Sequence, residues 1–215
     1  MQYRKIGQQD ASIVAFGAWA IGGWMWGGAD EHDAVDAVHA ALDVGMNFID
    51  TAPIYGFGAS ERIIGRALEG RRDRAFIATK CGMVWGPEVA DKGEFKFNSD
   101  DQRINPKGRT EVRIHLDPAS IRRELEVSLD RLKTDYVDLY QTHWQEATTP
   151  IEDTMAELEK MRAEGKLRTI GVCNATPEQM DQYRAAGQLD ADQEKYAMLD
   201  RELEGSNLPY CEKHG

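Results

Sequence analysis

Cysteine is scarce in this 215-residue chain: Cys81, Cys173 and Cys211 are an odd number and lie far apart. None belongs to a Cys-x-x-Cys pair or a Cys/His cluster, which argues against a disulfide framework or a zinc site. No apolar run approaches the roughly 20 residues that cross a bilayer as a helix. The opening MQYRKIGQQD carries no apolar leader core, so export is not expected and a reducing cytoplasm is the simplest compartment. Basic residues are in deficit, 26 against 37 acidic, for a formal net charge of −11. A nucleic-acid or anionic-membrane surface would need clustered Lys and Arg, and neither partner is expected. A glycine fingerprint for a dinucleotide fold is missing too. GAWAIGG (17–23) does not have its spacing, and GFGASE (56–61) lacks its third glycine.

The rest of the composition, 41% apolar and 29% charged, is that of an ordinary globular domain. Short β-branched runs alternate with helix-period segments. AFGAWAIGG (15–23), MNFID (46–50), RAFIATK (74–80), YVDLYQTH (136–143), RTIGVCN (168–174) and, more weakly, LDADQ (189–193) read as strands. Val35, Val38 and Leu42 form one helical stripe, stopped by Gly45. Ile121, Leu125, Leu129 and Leu132 form another, opened by Asp117-Pro118. Thr149-Pro150-Ile151-Glu152 and Thr176-Pro177-Glu178-Gln179 both read as helix starts, the first as a capping box.

Strand followed by helix, repeated, predicts parallel strands joined by crossovers. The strand ends at Asp50 and Lys80, and at His143 and Asn174, are roughly 30 residues apart, the length of one βα unit. Residues 81–117, rich in Gly, Asp and Lys, read as one long βα loop. The expected fold is an α/β (β/α)8 TIM barrel, present as about six βα units after a short N-terminal β-hairpin. Residues 1–215 would be a single, C-terminally incomplete domain, since such barrels run to about 250 residues. A six-strand sheet leaves open edges, so 1–215 alone is expected to be poorly soluble, aggregated or partner-dependent.

Asp50, Lys80 and His143 close three of these strands, and Tyr55 sits in the loop after the first. Each has an ordinary reading by itself: a turn carboxylate, a lysine reaching water, a structural histidine, a rim tyrosine. In a barrel, however, C-terminal strand ends converge on one rim. Reducing a carbonyl requires a hydride at carbon and a proton at oxygen. A phenol of pKa about 10 trades protons poorly near neutrality. An ammonium beside it lowers that pKa. Lys80 is the expected ammonium, Asp50 its anchor, and His143 the group that orients the carbonyl.

The motifs YRKIG with AFGAW, FIDTAPIYG, ATK, DYVDLYQTHW, GKLRTIGVCN and DQEKYAMLDR stand in an order that resembles the aldo-keto reductases, NADPH-dependent (β/α)8-barrel enzymes. The resemblance implies a catalytic tetrad of Asp50, Tyr55, Lys80 and His143, with Tyr55 as general acid. It implies cofactor contacts from Asp50, Cys173, Asn174 and Gln193, with NADPH expected and NADH as the other nicotinamide cofactor. Cys173 stands where the family usually has serine, a better hydrogen-bond donor. Trp24, Trp26, Trp85 and Trp144 resemble pocket-wall aromatics around a small carbonyl substrate. Two other readings stay open: a Schiff-base aldolase using Lys80, and a non-catalytic subunit that senses cofactor redox state.

Overall fold

The structure is a computed structural model and describes residues 1–23, 25–102, 105–106 and 108–215. The chain begins with an antiparallel hairpin, β1 (Tyr3–Ile6) and β2 (Gln9–Ser12). A six-stranded parallel sheet then builds up in chain order from β3 (Phe16–Gly17), β4 (Phe48–Asp50) and β5 (Phe76–Cys81). Between β5 and the next strand of that sheet lie β6 (Met83–Trp85), β7 (Glu94–Ser99) and β8 (Thr110–Ile114). The main sheet continues with β9 (Val137–Thr142), β10 (Leu167–Cys173) and β11 (Ala191–Gln193). Its order β3-β4-β5-β9-β10-β11 makes each strand the neighbour of its predecessor, the curled wall of a (β/α)8 barrel.

The helices are α1 (Glu31–Asp43), α2 (Ala59–Ala67), α3 (Pro118–Leu132), α4 (Ile151–Ala163), α5 (Pro177–Ala186) and α6 (Asn207–His214). Ile121, Leu125, Leu129 and Leu132 of α3 pack with Ile77, Val137 and Tyr140 of the sheet in one continuous core. The strands β5 and β9 are buried along their whole length, as parallel strands covered on both faces must be.

Two expectations from the sequence change. Residues 81–117 are not a plain loop: β6, β8 and β7 form a three-stranded antiparallel sheet standing over the end of the barrel wall. The start of α4 is not a capping box either. Pro150 takes the N-cap position with no side-chain bond. The Glu146 carboxylate instead accepts from the backbone amides of Thr148 and, at 3.2 Å, Thr149. The box at α5 does form. Thr176 Oγ1 accepts from Gln179 N at 3.3 Å, and Gln179 Oε1 accepts from Thr176 N at 2.9 Å.

Candidate active site

Asp50 ends β4 and Lys80 lies near the end of β5, so the parallel register carries both to the same rim. Tyr55 is delivered by the turn between β4 and α2, closed by hydrogen bonds from Tyr55 N to Ala52 O at 3.1 Å and Gly58 N to Pro53 O at 2.6 Å. That turn is fixed from below. Ser60 Oγ bonds Thr51 Oγ1 at 2.8 Å and donates to Ala18 O at 2.8 Å. It is also pressed against the loop after β3. A Cβ on Gly22 would lie 2.7 Å from the Tyr55 carbonyl, so only glycine allows this approach. The same loop lays the Trp19 ring on Tyr55, with centroids 5.8 Å apart and planes 21° apart.

Lys80 is buried, and its ammonium donates to three oxygens: Asp50 Oδ1 at 2.7 Å, Thr51 O at 3.0 Å and Tyr55 Oη at 3.3 Å. All three N–H donors of the ammonium are thereby directed at named acceptors. Burial alone would depress the ammonium, but Asp50 and its neighbours hold its pKa above the ordinary lysine value. His143 follows β9, and its ring meets that of Tyr55 edge-on at 5.9 Å. Burial first, then the positive charges of Lys80 and Lys96, push the imidazole well below its ordinary pKa. It is therefore neutral at pH 7.

The phenol behaves differently from expectation. Lys80 does pull the Tyr55 pKa down, but burial outweighs it and the net shift is upward. At neutral pH Tyr55 is a protonated phenol that accepts a hydrogen bond from an ammonium.

Beyond the rim opens a cavity of about 1140 Å³ lined by Tyr55, His143, Trp144, Trp19 and Asn174, with its far wall from β7. Of the four expected pocket tryptophans, Trp144 lines it. Trp85 instead packs edge-on against Phe57 at 5.1 Å, outside the described lining. Trp26 is largely exposed and touches Trp19 edge-on at 5.7 Å. Trp24 lies outside the described residues. Trp19 was not singled out from the sequence, although AFGAW places it in the loop after a strand, where a rim aromatic belongs.

At the end of β10, Asn174 adopts a left-handed backbone, φ 53°, and donates from Nδ2 to His143 O at 2.8 Å. Its Oδ1 is left as the acceptor at the cavity. Gln193 Oε1 accepts from Gln141 Nε2 at 2.8 Å, which assigns the Gln193 amide nitrogen as a donor. Cys173 is buried and its thiol is pushed up to about 12, chiefly by that burial. It is a neutral, weak donor 3.9 Å from Gln193 Oε1. One acceptor and one strong donor match what a carboxamide offers in return, so these side chains fit the nicotinamide group.

The aldo/keto reductase family model matches residues 14–215. The chain is 42% identical over 215 residues to the aldo-keto reductase YhdN of Bacillus subtilis, covering 98% of this chain and 58% of that protein. It is 39% identical over 223 residues to the NADH-specific methylglyoxal reductase of Escherichia coli, covering 100% of this chain and 65% of that one. Among solved structures, the glycerol dehydrogenase AKR11B4 of Gluconobacter oxydans superposes with a TM-score of 0.83 at 41% identity, over 99% of this chain and 60% of that one. The chain thus spans about three fifths of the length of these relatives. With that fold and those matches, the chain belongs to the aldo/keto reductase family.

Proposed function

We propose that this chain carries the catalytic half of a nicotinamide-dependent carbonyl reductase, acting reversibly between an aldehyde or ketone and its alcohol. The observation that carries the reading is the Lys80 ammonium, which binds Asp50 and donates to the Tyr55 hydroxyl at 3.3 Å beside a cavity of suitable size.

When bound, the nicotinamide cofactor supplies the hydride. Asn174 and Gln193 would hold its carboxamide, with Cys173 contributing weakly and Asp50 at the rim. NADPH is the cofactor we assign, with NADH the alternative; the E. coli relative is named for NADH. The chain's own residues do the rest. His143, being neutral, presents a hydrogen bond to the carbonyl oxygen and fixes its position. Tyr55 gives its phenolic proton to the oxygen as negative charge grows there. The phenolate left behind is stabilised by the ammonium already in place, which needs no reorganisation at that moment. In the alcohol-oxidising direction the same phenolate recovers the proton. Burial and Trp19 keep bulk water off the phenol.

A Schiff-base role for Lys80 is opposed by the same geometry. A nucleophilic lysine needs a depressed pKa, and this one is raised and triply bonded.

The test is NADPH and NADH oxidation with methylglyoxal and simple aldehydes by the protein and by Tyr55→Phe. We expect a loss of about 100- to 10,000-fold in kcat, the scale of one general acid. Equal turnover by the two proteins refutes the assignment. Cofactor binding without any turnover by the unsubstituted protein would favour the redox-sensing subunit.

A further inference from the structure

We propose that Lys96 is the anion-recognising residue of the substrate cavity, and that the carbonyl compounds this site takes carry a negatively charged group, a carboxylate or a phosphate. This rests on the reductase reading and narrows its substrate class.

The first observation is a β-bulge. In the pairing of β7 with β8, Phe95 stands opposite Arg113 and Phe97 opposite Val112, so Lys96 is an extra residue without a cross-strand partner. In a regular strand Lys96 and Phe97 would point to opposite faces. At the bulge Lys96 and Phe97 both line the cavity, as do Asn98 and Ser99 after them, while Phe95 is left 53% exposed. Bulges of this kind re-aim a side chain, and they collect next to active sites.

The second observation is what the side chain meets. Its ammonium lies 3.0 Å from the centre of the Trp144 ring, and Trp144 follows His143 directly. A cation held over an indole face keeps its charge and its outward N–H donors. Among the described residues no carboxylate stands at ion-pair distance from Lys96. The same wall does contain acid: Asp100 and Asp101, just past the end of β7, also line the cavity. Asp100 is engaged by Arg109, with Nε to Oδ1 at 2.7 Å. Lys96 is half-buried, and partial desolvation lowers its pKa while its charge contributes to keeping His143 neutral. A partly desolvated cation that has no ion pair among the described residues, a few ångströms from the ring of the residue beside His143, is complemented by an anionic substituent on the substrate.

The experiment compares kcat/KM for pairs matched in chain length, 4-oxobutanoate with butanal and 5-oxopentanoate with pentanal, in the protein and in Lys96→Met, Lys96→Gln and Lys96→Arg. The quantity read is the ratio of charged to neutral substrate. We expect this ratio to fall about tenfold in Lys96→Met and Lys96→Gln, to stay within about threefold in Lys96→Arg, and to shrink as salt rises. A ratio unmoved by Lys96→Met overturns the proposal. So does a change confined to the KM for cofactor, which would place the ammonium on the cofactor's phosphates. Binding of succinate, followed by quenching of tryptophan fluorescence, separates this proposal from the reading beneath it. Lys96-dependent quenching in a protein that reduces no carbonyl leaves the anion site standing and removes the reductase. Turnover with a Lys96-independent ratio does the reverse.

Discussion

At the scale of single residues, Tyr55 and Lys80 divide the task in a way that has a pH signature. Burial lifts the phenol's pKa and the lysine lowers it, and burial wins. The protonated phenol needed for reduction therefore persists through neutrality and is lost only above the ordinary tyrosine value. Oxidation of the alcohol needs the phenolate and has the opposite dependence. We expect kcat/KM for reduction to be flat from about pH 6 to 9 and kcat/KM for oxidation to rise with pH over that range. A reduction rate that falls between about pH 6 and 8 would give the proton to a group other than Tyr55. Asp50, Lys80 and His143 at three strand ends, and Tyr55 in the turn after the first, were legible as one group because the C-terminal ends of parallel strands converge. Cys173 entered only through the family resemblance, as the residue in a serine's usual place. The balance between burial and Lys80 was not, because desolvation depends on packing by Trp19 and on a turn whose closeness comes from Gly22.

At the scale of elements, α3 is tied to the rim by the half-buried carboxyl of Glu124. Glu124 Oε2 accepts from Gly82 N at 2.9 Å, just after β5, and Oε1 accepts from Ser120 Oγ at 3.4 Å. Burial raises its pKa to about 8, against 4.5 for a free glutamate. A carboxyl with a raised folded-state pKa stabilises the fold fully below the unfolded value, and that contribution is lost as pH rises towards about 8. Melting temperature should therefore fall between about pH 5 and 8 by several degrees, at about 2–4 °C per kcal/mol for a chain of this size. Glu124→Gln, which keeps an acceptor for Gly82 N, should flatten that fall; a fall of equal size in the variant would contradict the linkage. Elements were read unevenly from the sequence. The six main strands and α3 showed themselves through β-branched runs and a 3.6-residue stripe. The three-stranded sheet did not, because Gly, Asp and Lys recur throughout 81–117 and break up the apolar pattern, although Phe95 and Phe97 in EFKFN carry a two-residue alternation. The expected box at Thr149 does not form, because a local carboxylate three residues upstream, Glu146, accepts from the Thr149 amide.

At the scale of the whole molecule, the proposed site is contributed by segments spread over most of the chain, from Trp19 to Gln193. The sheet that gathers them has β3 and β11 as its edge strands among the described residues, and Tyr196, Met198 and Leu199 lie exposed just past β11. The relatives that share this fold are longer, and the chain spans 58% of the B. subtilis protein and 65% of the E. coli one. The function proposed here depends on distant segments acting as one proton-delivering unit, whereas independent contributions would add up. The decisive measurement is a double-mutant cycle on kcat for carbonyl reduction with Tyr55→Phe, Lys80→Met and the pair together. If Lys80 works only by stabilising the Tyr55 phenolate, the double variant should be no slower than Tyr55→Phe alone, within about threefold. If the two losses multiply in full, Lys80 acts elsewhere and the unit does not exist.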